Sequence, residues 1–171
     1  MIKILSATAV AAAAFVATPA AAAAPTGGRV EALIGYDVAS ASGVDDGGML
    51  FGAGAGYDFA VSSAFSLGAD VEVTGSTTDI GVLEAGRDLY AGGRLTTAIS
   101  DKTNLYFKAG YTNGRVQVDG LGGTNLDGVR VGAGLQYAIG GKSYVGGEYR
   151  YSNYEADVSR HQLALTVGTR F

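Results

Sequence analysis

The chain has 171 residues, enough for one ordinary domain, with a formal net charge of −4, one histidine and no cysteine. The absence of cysteine excludes disulfides and thiolate metal or redox chemistry. The acidic balance excludes a nucleic-acid partner, which requires a basic footprint.

Residues 1–23 open with Met1-Ile2-Lys3-Ile4-Leu5, run through an alanine-rich stretch holding Val10, Phe15 and Val16, and end in Thr18-Pro19-Ala20 and further alanines. One positive residue, a mildly apolar run and small residues at the boundary predict a cleaved secretory signal over 1–23 and a single domain over 24–171. The uncharged run approaches the ~20 residues of a membrane span, but alanine is weakly hydrophobic and Pro19 interrupts it. Pro25 hinders a cut directly before it, which favours cleavage after Ala22 or Ala23 over Ala24. Without Lys3, 11 basic and 16 acidic residues remain. Both prolines, Pro19 and Pro25, precede the first strand, so every later backbone N–H is free to join a ladder.

Eight strands are predicted next, each from an apolar–polar alternation of period 2, which puts successive side chains on opposite faces. The first, Arg29 to Val38, sets Val30, Ala32, Ile34, Tyr36 and Val38 against Arg29, Glu31, Leu33, Gly35 and Asp37. The second, Leu50 to Val61, sets Phe51, Ala53, Ala55, Tyr57 and Phe59 against Gly52, Gly54, Gly56 and Asp58. In the third, Phe65, Leu67, Ala69, Val71 and Val73 oppose Ser66, Gly68, Asp70, Glu72 and Thr74. In the fourth, Leu89, Ala91, Gly93, Leu95 and Thr97 oppose Asp88, Tyr90, Gly92, Arg94 and Thr96.

The fifth sets Leu105, Phe107, Ala109 and Tyr111 against Tyr106, Lys108, Gly110 and Thr112. The sixth sets Val129, Val131, Ala133, Leu135, Tyr137 and Ile139 against Gly128, Arg130, Gly132, Gly134 and Gln136. The seventh sets Val145, Gly147, Tyr149 and Tyr151 against Tyr144, Gly146, Glu148 and Arg150. The eighth sets Leu163, Leu165, Val167, Thr169 and Phe171 against Gln162, Ala164, Thr166, Gly168 and Arg170. No segment carries a convincing helical period.

Connections alternate in kind. Those after the second, fourth and sixth strands are tight, at Ser62-Ser63-Ala64, Ser100-Asp101-Lys102-Thr103 and Gly140-Gly141-Lys142. The others are longer or more polar, around residues 42–47, 76–79, 119–123 and 153–157. Short turns at one end and longer loops at the other characterise an up-and-down barrel of outer-membrane type.

The faces sharpen this. The polar parity holds nearly all strand charge, and the apolar parity places aromatics such as Tyr36, Phe59, Phe65, Tyr111, Tyr137 and Phe171 mainly near strand ends. A soluble barrel holding an apolar ligand needs an apolar lining, which this polar parity cannot supply. The predicted fold is therefore all-β, an eight-stranded antiparallel up-and-down transmembrane β-barrel with an apolar band toward lipid and a polar interior. Buried charges must be paired. Glu31, Asp70, Glu72, Asp88, Arg94, Lys108, Arg130, Glu148 and Arg150 are accordingly expected to form a neutralising network in the lumen, with glycines on the same parity making room for them.

A signal segment, eight glycine-rich alternating strands, no cysteine and a terminal aromatic resemble the small bacterial outer-membrane β-barrels, namely the opacity-protein-like porin family and the barrels of outer membrane proteins A and X. The resemblance covers the whole chain after the signal and is specific for architecture rather than role. It implies a Gram-negative outer-membrane protein with no cofactor, monomeric, in contact with outer-membrane lipid and lipopolysaccharide or its equivalent. It also implies that Gly168 and Phe171 carry the signal read by the barrel-assembly machinery. Thr169 departs from the pattern, where a bulkier residue is usual. No periplasmic peptidoglycan-binding domain is expected beyond Phe171.

Three constellations invite chemistry. His161 is two residues from Ser159, with Glu155 and Asp157 nearby, and some barrels of this resemblance deacylate lipid A with such groups. The order and spacing do not match that motif, and no oxyanion hole is identifiable, so no enzyme is expected. Acidic loop residues Asp45, Asp46, Asp79, Glu84, Asp119, Asp127, Glu155 and Asp157, against Arg87, Arg115 and Arg160, offer oxygens for Ca²⁺ or Mg²⁺ but match no EF-hand spacing and read as solvated charge. Gly52-Ala53-Gly54-Ala55-Gly56 lies within a strand and lacks the context of a nucleotide loop. The expected role is structural surface display around a plugged lumen, with a narrow channel for ions or small solutes as the alternative and a lipid-modifying enzyme third.

Overall fold

The computed structural model describes residues 23–171 except 42–43, 81–82, 119–121 and 156. The expected signal up to residue 22, the loop residues Ser42, Gly43, Asp119, Gly120 and Leu121, and the side chains of Asp79 and Glu84 lie outside the described residues.

Eight long strands follow one another: β1 Gly27–Ala41, β2 Val44–Ala60, β3 Phe65–Ser76, β4 Leu83–Ala98, β5 Thr103–Val118, β6 Gly122–Gly140, β7 Ser143–Tyr154 and β8 Ser159–Arg170. A two-residue strand, Asp79–Ile80, pairs with Leu83 and Glu84 inside the β3–β4 hairpin. Each long strand pairs antiparallel with its neighbours in sequence. β1 pairs with β8 from Arg29↔Arg170 to Ser40↔Ser159, which closes the sheet into a ring. Closure leaves no free edge around the barrel wall, as a strand assembly in lipid requires.

Register carries the parity of one strand into the next. Val30, Ala55, Val71 and Ala91 stand on one rung, and all four face outward. Their exposure is inverted relative to a soluble protein. Leu165 and Val167 are 66% and 53% exposed, whereas Arg130 and Arg150 are 0% exposed. Large apolar side chains on the outside and fully buried guanidinium groups inside are stable together only when the outer solvent is hydrocarbon. In β8 the outward span Leu163–Phe171 is nine residues, matching the about 9–11 that a tilted strand needs to cross the bilayer core.

The strands run further than their alternation predicts. β1 and β2 pair as far as Ala41↔Val44, and β5 and β6 as far as Val118↔Gly122. The stretches expected as loops near residues 44–47, 76–80 and 122–123 are largely strand. Beyond the apolar band both faces of a hairpin meet water, so no alternation marks them, yet their backbone groups still pair.

Candidate functional site

Among the described residues, the lumen is where this fold concentrates its charged side chains. Strand parity delivers charged side chains to it from all eight walls, and glycines on the same parity leave the space they occupy. A Cβ at Gly56 would collide with the Arg29 guanidinium and the Asp70 carboxylate, and one at Gly168 with the Tyr144 ring.

The charges form one connected ladder from the tight-turn end upward. Arg170 Nη1 lies 2.7 Å from Asp58 Oδ2, which also pairs with Arg29 Nη1 at 2.6 Å. Arg29 bonds Asp70, and Asp70 Oδ2 accepts from Arg94 Nε at 2.7 Å. Arg94 Nη2 reaches Glu31 at 3.2 Å, and Tyr144 donates to the other Glu31 oxygen at 3.0 Å. The Arg94 guanidinium lies 4.1 Å from the centre of the Tyr106 ring, whose hydroxyl donates to Glu148 at 2.6 Å. Cation and ring attract through the ring quadrupole, so Tyr106 links the lower and middle layers.

In the middle, Lys108 pairs with both Glu72 and Glu148, and Arg150 lies 2.7 Å from Glu148 and 3.1 Å from Glu72. Above it, Arg130 bonds Asp88 at 2.6 Å and Ser152 Oγ at 2.8 Å. Asp88 also accepts from Thr112 and Tyr154. Arg160 closes the top, lying 3.4 Å from Asp88 and bonding Asp37, which accepts from Ser76 and Thr78 as well.

All nine residues expected in the network sit in the lumen, and the structure brings every one of them into this ladder. Five more belong to it. Arg29, Asp37, Asp58 and Arg170 were assigned to the polar parity, but not to the network. Arg160 was placed among solvated loop charges, and the structure corrects this: it is 7% exposed and held by Asp37. Its signal was its parity with Gln162 and Ala164 on β8. The completed ladder has seven bases and seven acids among the described residues.

The remaining candidates lie elsewhere. His161 faces outward, its Nδ1 2.7 Å from the Tyr149 hydroxyl and its ring 4.9 Å from the Tyr151 ring. These aromatic partners are what the structure gives it, not a serine and a carboxylate. Asp127 stands just beyond the outermost apolar rung, Tyr111↔Val129, and accepts from the Tyr111 hydroxyl at 2.5 Å and Asn113 Nδ2 at 2.6 Å. The Tyr111 hydrogen bond is the main cause that holds the Asp127 carboxyl below the usual range. Among the described residues, no group of three or more His, Asp or Glu side chains could hold a metal ion. Phe171 is exposed at the turn end, and its N–H donates to Gly28 O at 3.0 Å.

Residues 7–171 match the family model described as "Outer membrane protein beta-barrel domain". None of the curated proteins matches the chain. Solved structures share the fold. Neisserial surface protein A superposes with a TM-score of 0.64 at 20% identity, over 85% of this chain and 98% of that one. Ail, the attachment invasion locus protein of Yersinia pestis, in complex with the heparin analogue sucrose octasulfate, gives 0.63 at 19% identity, over 85% and 99%. The N-terminal barrel domain of Pseudomonas aeruginosa OprF gives 0.59 at 16% identity, over 86% and 99%.

Proposed function

The chain belongs to the outer membrane protein beta-barrel domain family, and from that premise we propose a structural role: a barrel that displays its hairpins at the cell surface and keeps its lumen shut. The carrying observation is the ladder, in which seven bases and seven acids neutralise one another along the lumen. Among the described residues such a network leaves no lumen charge without an opposite partner to hold a hydrated ion, and bulky Tyr90, Tyr106, Tyr144 and Tyr154 fill the space between its layers. The tight turns face the periplasm and the longer hairpins the exterior. There the sequence places eight acids against Arg87 and Arg115, so a polyanion such as the one bound to Ail is a poor partner for this chain. Outer-membrane lipid and lipopolysaccharide surround the band of a monomer, and Gly168 and Phe171 serve the assembly machinery.

We also hold to a cleaved signal. The Ala24 N–H donates to Ser63 O at 2.9 Å, and Ala24 is buried. Cleavage after Ala24 would delete that contact, whereas a cut after Ala22 or Ala23 keeps it. N-terminal sequencing of protein from outer membranes decides between these sites.

A narrow channel is the second reading. It is favoured by Lys108, which is shared between Glu72 and Glu148, and by Arg130, 3.9 Å from Glu72, since these cations have alternative carboxylates. Planar-bilayer recording on refolded protein separates the two. A shut barrel gives no openings, with Arg130→Ala or Glu148→Ala needed to produce any. Steady openings in the unaltered protein contradict the structural reading.

A further inference from the structure

At the hairpin end of the barrel, opposite the tight turns, the chain leaving β3 is tied across β2 to β1. Thr77 extends the β2–β3 pairing by one residue, its N–H donating to Met49 O and its hydroxyl accepting from the Met49 N–H, both at 2.9 Å. The backbone then lies against Gly48, where a Cβ would come within 2.5 Å of Thr78 N. Asp37 of β1 is the register partner of Gly48. The Thr78 hydroxyl donates to Asp37 Oδ2 at 3.0 Å, and the Ser76 hydroxyl donates to the same oxygen at 2.9 Å. Ser76 Oγ also accepts from the Thr78 N–H at 3.2 Å. Thr78 and Asp37 are both fully buried.

This clasp covers something that needs cover. Ser76 is the register partner of Leu50 on β2, and Leu50 clusters with Leu33 and Ala164 on the lumen side. An apolar cluster in a polar lumen is stable only while water is kept from it, and Leu50 is 0% exposed. The tie itself is light. Thr77 and Thr78 lie outside the strands, and their release would break two hydroxyl bonds to a carboxylate that Arg160 still neutralises. No buried charge would lose its counter-charge, so the large cost of splitting an ion pair does not arise.

We propose that Ser76–Thr78 is the outer gate of the lumen, latched on Asp37. Closed, it seals Leu50 and the charges beneath from the exterior. Released, it opens the upper lumen to small solutes as far down as the ion-pair ladder. The gate rests on the reading of a lumen that the ladder shuts below it.

The chain has no cysteine, so Leu50→Cys supplies a single thiol beneath the gate. Ser66→Cys, at a position 0% exposed near the tight-turn end, supplies one far below it. A small membrane-impermeant methanethiosulfonate is added to intact cells, and labelling rates are compared among variants that keep heat-modifiable migration. The thiol of Leu50→Cys should react slowly, and about tenfold faster when Thr78→Val removes one hydrogen bond to a charged group. Gly48→Ala, whose methyl displaces the Thr78 backbone, should raise the rate too, while Thr78→Ser should keep it slow. Ser66→Cys should stay unreactive throughout. One rate at Leu50→Cys in every variant, or parallel gains at Ser66→Cys from general loosening, overturns the gate. Bilayer recording separates the two readings. Steady openings of the unaltered protein contradict the shut lumen and the gate with it, whereas a silent barrel with an unchanged Leu50→Cys rate ends the gate alone.

Discussion

Lys108 Nζ lies 2.7 Å from Glu148 Oε1 on β7, and the same ammonium pairs with Glu72 on β3, four strands away around the ring. One cation on β5 thus struts two walls that never touch through the sheet. Glu148 in turn receives Arg150 and Tyr106, so removing it leaves two buried cations short of a counter-charge. Glu148→Ala is expected to destabilise the barrel by about 3–5 kcal/mol, the cost of breaking a buried ion pair from one side. Urea unfolding in lipid vesicles measures it, and an effect under about 1 kcal/mol, the scale of an exposed pair, contradicts the ladder.

Outward and inward faces should respond oppositely to charge. Val71 is 57% exposed on the lipid face, and Val71→Arg should cost about 2–4 kcal/mol if it lies near the midplane. Thr74→Ser, on the lumen parity of the same strand, keeps the hydroxyl and deletes one buried methyl, and should cost only about 1 kcal/mol. Equal effects at the two sites would contradict the assignment of faces.

The period of 2 made the eight strands, their order and their faces legible, because each crosses one apolar band with one wet face. It could not mark the hairpin segments beyond the band, where both faces are wet. Arg160 shares the parity of Gln162 and Ala164, but it sits where β8 leaves its hairpin, so its parity does not say whether it belongs to the wall or to the loop; the register with β1 brings it to Asp37. Charge balance predicted a network. Which carboxylate each cation takes depends on the stagger between strands, which a single strand does not encode.

Two glycines on opposite faces should respond differently to a methyl group. At Gly56 a Cβ would meet Arg29, Asp70 and the Ala69 carbonyl, so Gly56→Ala should destabilise by about 1–3 kcal/mol through overpacking. At Gly147, on the outward face, a Cβ meets nothing within 4 Å, and Gly147→Ala should be neutral or slightly stabilising. The pair is compared by unfolding midpoints in one lipid.

Asp127 gives a pH dependence. Its ionised form is favoured by the Tyr111 hydroxyl and Asn113 amide, which depress its pKa in the folded state. Its contribution to stability is therefore full above the unfolded-state pKa and is lost as pH falls through the folded value. Carbon-detected titration should find Asp127 below ordinary aspartates, and Tyr111→Phe should move it up. A pKa unchanged by Tyr111→Phe would remove the hydrogen bond as its cause.

The closed ring in lipid is tested most directly by electrophoresis of outer-membrane fractions in dodecyl sulfate, with and without boiling. A barrel whose ladder closes through the β1–β8 pairing keeps its compact form until heated, so the unboiled protein should migrate ahead of the boiled one. Identical migration, with the protein recovered in the soluble periplasmic fraction, would contradict the membrane barrel outright.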